Sequence, residues 1–386
     1  MSTTATVVAP PEPQYEYYFR DGTTDNKREI LTGDKAVPTF EEVPVVDIEN
    51  IFSNDFDERL QAAKEVAEVC KTVGFMYIKN HGVSQDLIDE VFDMSRKYHA
   101  QPLEVKKEQD VYQSPTLRGY EIHYTKTPTG EAVKKGSFLY SYDPDNDPQL
   151  PKLTPEQREL CIGIHNQWPE KWPEFRATML KYQAELLKLS RALLRTFALG
   201  LGADENYFDP IVTAPFVSII LQHYAPRDPQ AEDLDGLGAH SDFETFTILN
   251  QDMIGGLEIL NKNGIYIPAK PIRGTFVVNV GDFLQRISND QFVSTVHRVR
   301  NSSGVNRYSI PFFFSFNMDV AVPVRDMVHF WSAVSTGLTM IPKVMPACTS
   351  EDNPAKYEPR NLHEYTAERR RLKMETHKKG IHDALG

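Results

Sequence analysis

Three residues in the second half of the chain have the types and spacing to hold a divalent metal. His240 and Asp242 stand two apart in Gly238-Ala239-His240-Ser241-Asp242, so on extended backbone both side chains leave the same face. His297 lies in a later β-branched stretch, Ser294-Thr295-Val296-His297-Arg298-Val299, which predicts a second strand. Two neutral imidazoles and one carboxylate form a facial set that leaves the opposite side of the metal open. That set suits non-haem Fe(II) and oxygen chemistry. One carboxylate leaves a divalent ion with residual positive charge, which an anionic cosubstrate can neutralise. A receptor for such an anion follows at Arg307-Tyr308-Ser309. On a strand Arg307 and Ser309 share a face; the guanidinium is a permanently charged bidentate fork and the hydroxyl a further donor. Tyr224, in Leu221-Gln222-His223-Tyr224-Ala225-Pro226, can add a phenolic donor from a neighbouring strand.

Singly, each residue has an ordinary explanation. His-x-Asp is a common pair, His297 could be a buried imidazole satisfied by a carbonyl, and Arg307 could sit in a surface salt bridge. Their order, spacing and strand context together favour the metal. The other histidines form no second ligand cluster. Asp143-Pro144-Asp145-Asn146-Asp147-Pro148 lacks the regular oxygen spacing and distal Glu of a calcium loop and predicts a Pro-punctuated turn.

The residues that carry this chemistry fall where the apolar period is two. Runs 216–224, 245–249, 256–260, 275–280, 292–300 and 307–316 all read as strands separated by turn residues, which argues for a sandwich or barrel. Upstream, Val43–Asp47 and Phe75–Ile78 predict strands, and 56–72 and the stretch after Ser84 predict amphipathic helices. Residues 110–153 predict loops and short strands. Thr154-Pro155-Glu156-Gln157 predicts the cap of a short helix. A Leu-rich stripe predicts a long helix over 173–199, with Gly200 as its stop and burial within the same chain as its role. Charged, helix-compatible sequence returns at 361–379. The expected fold is mostly β with flanking helices. The expected organisation is an arm over 1–40, a support region over 41–200, the β-rich core over 201–325, and a C-terminal loop and helix over 326–386.

Composition narrows the partners. The chain has 386 residues, 40% hydrophobic and 25% charged, which is ordinary for a globular protein. Acidic residues number 54 against 42 basic ones, a net charge of −12, which disfavours nucleic acid. Three widely spaced cysteines make no disulfide framework and point to a reducing compartment. No apolar run reaches the ~20 residues of a membrane span. The expectation is a cytoplasmic monomer acting on a small molecule, away from membrane and nucleic acid.

In this order, the motifs resemble those of Fe(II)/2-oxoglutarate-dependent dioxygenases of the isopenicillin N synthase-like family. Val43-Pro44-Val45-Val46-Asp47 and Gly74-Phe75-Met76-Tyr77-Ile78-Lys79-Asn80-His81-Gly82-Val83 carry the N-terminal likeness. His240-Ser241-Asp242, Gly255-Gly256-Leu257-Glu258-Ile259, Asn279-Val280-Gly281-Asp282, His297-Arg298-Val299 and Arg307-Tyr308-Ser309-Ile310-Pro311 carry the core likeness. The likeness spans roughly residues 40–375. It implies a distorted double-stranded β-helix, or jelly roll, with a helical N-terminal region and a C-terminal helix. It implies Fe(II) on His240, Asp242 and His297. It also implies 2-oxoglutarate with its distal carboxylate on Arg307 and Ser309, helped by Tyr224, and O2 as the oxidant. Many relatives carry Asn where this chain has Gln222, a departure that touches the keto-acid end. The implied reaction is hydroxylation, desaturation or ring closure of a small organic molecule, with a style akin to fungal enzymes of secondary metabolism.

Other readings share parts of this pattern. An oxidase of the isopenicillin N synthase or aminocyclopropane-carboxylate oxidase type would use Arg307 to grip its own substrate and need no 2-oxoglutarate; an ethylene-forming reaction is a further outcome. A non-catalytic binding protein on the same scaffold would be marked by an incomplete triad, and a zinc hydrolase by a separate general base. Phe283, Phe312 and Phe314 are candidates for the pocket lining, with core packing an equal alternative.

Overall fold

The computed structural model describes residues 13–20, 23–127, 130–149, 155, 161, 165–230, 235–317, 321–324, 344–361 and 371. Two sheets form the centre. The larger has eight strands: β3 (Val45–Asp47), β4 (Phe75–Lys79), β5 (Gly119–Thr127), β6 (Gly130–Ser141), β7 (Pro215–Tyr224), β9 (Phe246–Gln251), β12 (Phe276–Val280) and β14 (Arg307–Asn317). They run in the order β3-β4-β12-β9-β14-β7-β6-β5. The smaller has six: β1 (Gln14–Arg20), β2 (Thr23–Ile30), β8 (Asp235–His240), β10 (Leu257–Leu260), β11 (Tyr266–Pro268) and β13 (His297–Arg300). Their order is β11-β10-β13-β8-β1-β2. A two-stranded ribbon, β15 (Ala321–Val324) with β16 (Glu358–Asn361), completes the strands. Sheet topology and helix placement are those of a jelly roll with a helical flank, as expected. Strands from 41–200 and from 201–325 share the larger sheet.

Strand parity divides the larger sheet into two faces. Its outer face carries Met76, Ile78, Phe138, Tyr140, Ile219, Leu221, Ile248, Phe276, Val278, Ile310, Phe312 and Phe314, all buried in one cluster with three helices. These are α1 (Phe56–Thr72), α2 (Gln85–His99) and the 28-residue α4 (Pro173–Gly200); of two short helices, α3 (Leu103–Lys107) and α5 (Asp282–Ile287), the second adds Phe283, Leu284 and Ile287 to the same cluster. Leu186, Leu193 and Phe197 of α4 are fully buried, so the Leu stripe packs inside the chain as predicted. Each such side chain contributes ~1.5–3 kcal/mol relative to exposure. The inner face meets the smaller sheet through Phe75, Tyr77, Tyr224, Leu257, Ile259, Val277 and Val299.

Several details differ from the sequence reading. The arm is not wholly loose: β1 and β2 form a hairpin, and β1 runs parallel to β8 with Phe19 opposite His240. Residues 119–141 form a long hairpin rather than short strands, because β6 pairs with β7 over seven positions and so extends the larger sheet. The predicted strand at 292–300 begins only at His297. Gly200 is the last helical residue, but its main role is contact: a Cβ there would lie 2.7 Å from Ala67 Cβ and 2.8 Å from the Ala63 carbonyl. The chain leaves the helix through Gly202, whose φ is +75°. Asp143 accepts from the Asp145 amide and opens a 3-10 turn, as the Pro-punctuated reading expected. Most of 154–157 and of 361–379 lies outside the described residues.

Candidate metal centre and anion pocket

His240 ends β8 and His297 begins β13, and the two are register partners across the smaller sheet. Each ring is held by the same device. His240 Nδ1 donates to the Gly238 carbonyl at 2.8 Å, and His297 Nδ1 donates to the Thr295 carbonyl at 3.1 Å. A carbonyl can only accept, so both rings keep their proton on Nδ1 and turn the Nε2 lone pair outward. Asp242 stands just past β8, where the turn is pinned by the Asp282 amide donating to the Asp242 carbonyl at 2.8 Å. Its Oδ2 accepts from Thr247 Oγ1 at 2.6 Å and from Asn279 Nδ2 at 2.8 Å, leaving Oδ1 for another role. Oδ1 lies 3.6 Å from His240 Nε2 and 3.7 Å from His297 Nε2. The three ligand atoms thus converge within 4.8 Å, the one such His/Cys/Asp/Glu cluster among the described residues. Phe75 meets the His297 ring edge-on at 5.0 Å.

The electrostatics suit a cation. Burial and the neighbouring His297 push His240 down to about 4, so it is neutral at physiological pH. Burial works to raise the Asp242 carboxyl, but the two imidazoles and the bonds from Thr247 and Asn279 outweigh it and hold it below the usual range. Two neutral donors and one carboxylate, buried and pre-oriented, fit Fe(II) with open coordination positions.

The second set assembles on β14 and β7. Arg307 is fully buried and sits opposite Tyr224; Ser309 sits opposite Gln222. Arg307 Nη1 donates to Ser309 Oγ at 3.2 Å, Nε donates to the Gly255 carbonyl, and the guanidinium lies 4.9 Å from the Tyr224 ring centroid. Gly255 and Gly256 make that approach workable. Both have positive φ, and a Cβ on Gly256 would lie 2.3 Å from the Arg300 carbonyl. Arg307 Nη2 is buried without a hydrogen-bond partner. A buried, charged donor left open is costly unless an anion completes it, so the fork fits a carboxylate. Ser309 and Phe313 share the inward face of β14, and Phe313 pairs with Thr247, the residue bonded to Asp242. Anion pocket and metal cluster therefore lie on the same inner face of the larger sheet.

All six residues singled out in the sequence come together in these two sets. The pocket-lining candidates do not. Phe283, Phe312 and Phe314 are buried in the helix-side core, while the partly exposed Phe313 faces inward with Arg307. Thr247 and Asn279 were not anticipated; their place beside Asp242 comes from the pairing of β9 with β12.

The comparisons with known proteins agree with this geometry. The 2OG-Fe(II) oxygenase superfamily model matches residues 216–316, and the model for the N-terminal region of non-haem dioxygenases in morphine synthesis matches 43–171. The 2-oxoglutarate-Fe(II) type oxidoreductase ppzC of Metarhizium rileyi is 37% identical over 333 residues, covering 82% of this chain and 89% of that protein. The 2-oxoglutarate-Fe(II) type oxidoreductase hxnY of Emericella nidulans is 32% identical, covering 72% and 80%. A full-length Neurospora crassa protein, crystallised in complex with alpha-KG and thymine, superposes with a TM-score of 0.68 at 28% identity, covering 86% of this chain and 98% of that one. With its fold, its iron-type donor set and its relatives all in agreement, the chain belongs to the 2OG-Fe(II) oxygenase superfamily and oxidises a small molecule with Fe(II), 2-oxoglutarate and O2.

Proposed function

We propose that His240, Asp242 and His297 hold the Fe(II), that Arg307 and Ser309 grip the distal carboxylate of 2-oxoglutarate, and that Tyr224 flanks that grip. The observation that carries this reading is the convergence of two Nε2 atoms and Asp242 Oδ1 within 4.8 Å, each aimed by a fixed hydrogen bond. Iron with 2-oxoglutarate and O2 supplies the oxidising power, consuming the keto acid by decarboxylation and removing hydrogen from a substrate C–H bond. The chain's own residues orient and exclude. Gly238 and Thr295 carbonyls fix the two rings, and Thr247 and Asn279 fix the carboxylate. The Arg307 fork sets the position of the cosubstrate, and Phe75, Tyr224 and Val299 keep water from the space between the sheets. The reading is a tailoring oxidation of a small organic molecule, supported by the likeness to fungal oxidoreductases. A cytoplasmic monomer fits three free, buried cysteines and a net charge of −12. No helix among the described residues is long and apolar enough to cross a membrane.

The test is metal binding by His240→Ala, Asp242→Ala and His297→Ala. Each leaves a two-point site, so tight Fe(II) binding should be lost while circular dichroism stays that of the wild type. Full turnover by any of the three after stripping and restoring iron would remove the assignment.

A further inference from the structure

We propose that Gln222, locked by Ser137, is the donor that selects the primary substrate. The inward strip Ser218–Ile220–Gln222 of β7, with Ser137 and Leu139 of β6, would be the floor on which that substrate lies. This rests on the function proposed above and names the substrate class: a small molecule with an apolar body and a carbonyl-type acceptor oxygen.

Gln222 faces inward between Ser137 on one side and Ser309 on the other. It is 6% exposed, and Ser137 is 3% exposed. Ser137 Oγ donates to Gln222 Oε1 at 2.5 Å, which turns the amide toward β6. On the far side, Ser309 Oγ already accepts from Arg307. The amide is thus drawn away from the cosubstrate grip and toward the β5–β6 hairpin. Its carbonyl is anchored, and its two amide hydrogens meet no acceptor among the described residues. An amide fixed at one end and open at the other is a prepared donor.

The rest of the strip agrees. Ile220 faces the same way as Gln222 and is only partly covered, although Ile219 and Leu221, on the opposite face, are fully buried. Leu139 stands beside Ile220 in register. Ser218 follows on the same face, 8% exposed. The floor therefore reads polar, apolar, polar over about 13 Å of strand. An ordinary core strand would fill these positions with apolar side chains; a ligand floor places a few polar groups around an apolar centre.

The experiment uses the full chain loaded anaerobically with Fe(II) and 2-oxoglutarate, followed by its metal-to-ligand charge-transfer absorption. Thymine, 2-piperidone and acetanilide are the probes, each offering a carbonyl beside an apolar body. At least one should perturb the band saturably. Gln222→Met, which keeps the length and loses the donors, should weaken that probe about tenfold and leave the 2-oxoglutarate dissociation constant unchanged. Ser137→Ala should weaken the probe less, and the double variant should be no worse than Gln222→Met alone. Binding by none of the probes, equal probe affinity in Gln222→Met, or a parallel loss of 2-oxoglutarate affinity would overturn the inference. A wild-type protein that forms no band with Fe(II) and 2-oxoglutarate would overturn the proposed function as well.

Discussion

Replacing Arg307 isolates the cosubstrate grip from the iron. The guanidinium is fully buried, with Nε on the Gly255 carbonyl, Nη1 on Ser309 Oγ and Nη2 open. A carboxylate arriving there gains charge-assisted bonds of ~1.5–3 kcal/mol each. Arg307→Lys keeps the charge on a single point donor and loses one arm of the fork. At about 1.4 kcal/mol per factor of ten, 2-oxoglutarate should bind about 10- to 150-fold more weakly. Arg307→Ala loses both arms and the contact with Tyr224, so its affinity should fall further still. No iron ligand touches Arg307, and Fe(II) affinity should hold. The assay is anaerobic titration of the iron-loaded protein with 2-oxoglutarate, with iron binding measured separately. Wild-type cosubstrate affinity in Arg307→Lys, or iron affinity falling in step with it, would refute the reasoning. Consumption of O2 and substrate by the wild type without 2-oxoglutarate would instead show that Arg307 holds the substrate itself.

Three further outcomes follow from other parts of the fold. Asn279→Ala removes one of the two donors on Asp242 Oδ2, so Fe(II) affinity should drop about 10- to 100-fold with the fold intact, as read by competition with a chelator. His99 is pushed down to about 3 by burial and by His223, while its Nε2 donates to the Leu221 carbonyl. In the unfolded chain it titrates near the ordinary value of 6.5, so between pH 6.5 and about 3 the unfolded state binds the extra proton. Stability should therefore fall as pH drops through that window, by up to about 1.4 kcal/mol per pH unit from this group. His99→Gln should flatten the slope of urea stability against pH by one proton; an unchanged slope would contradict the assignment. Gly200→Val should drive α4 off α1 and lower stability by about 1–3 kcal/mol in a thermal melt, without changing iron affinity.

The site was more legible than its surroundings. His240, Asp242, His297, Arg307 and Ser309 could be read because period two puts alternate residues on one face, and chemistry then demands convergence. The same rule, applied to β14, excludes Phe312 and Phe314 from the face of Arg307 and selects Phe313. Thr247 and Asn279 stayed hidden because their role depends on which strands are neighbours, and β9 beside β12 is not written in either segment. The β5–β6 hairpin was underestimated for a related reason. Its Gly-, Pro- and Tyr-rich composition reads as loop, and its length comes from pairing with β7, about 80 residues away. Gly200 looked like a stop because it ends the Leu stripe, whereas only the packed structure reveals Ala63 and Ala67 beneath it.

The pairing of β4 with β12, and of β1 with β8, has a consequence for how the chain is made. Both join strands separated by roughly 200 residues, the kind of contact that is slow to form because a long loop must close first. At ~5–20 residues per second, a ribosome leaves β4 without its neighbour for about ten seconds or more. Phe75, which packs against His297 in the folded chain, lacks that partner for the whole interval. The carbonyls that aim the two imidazoles stand just two residues before each ring, but Thr247 and Asn279 are brought together at Asp242 only once β9 and β12 pair. The proposed iron socket is therefore completed late in folding, when His297 comes into register with His240.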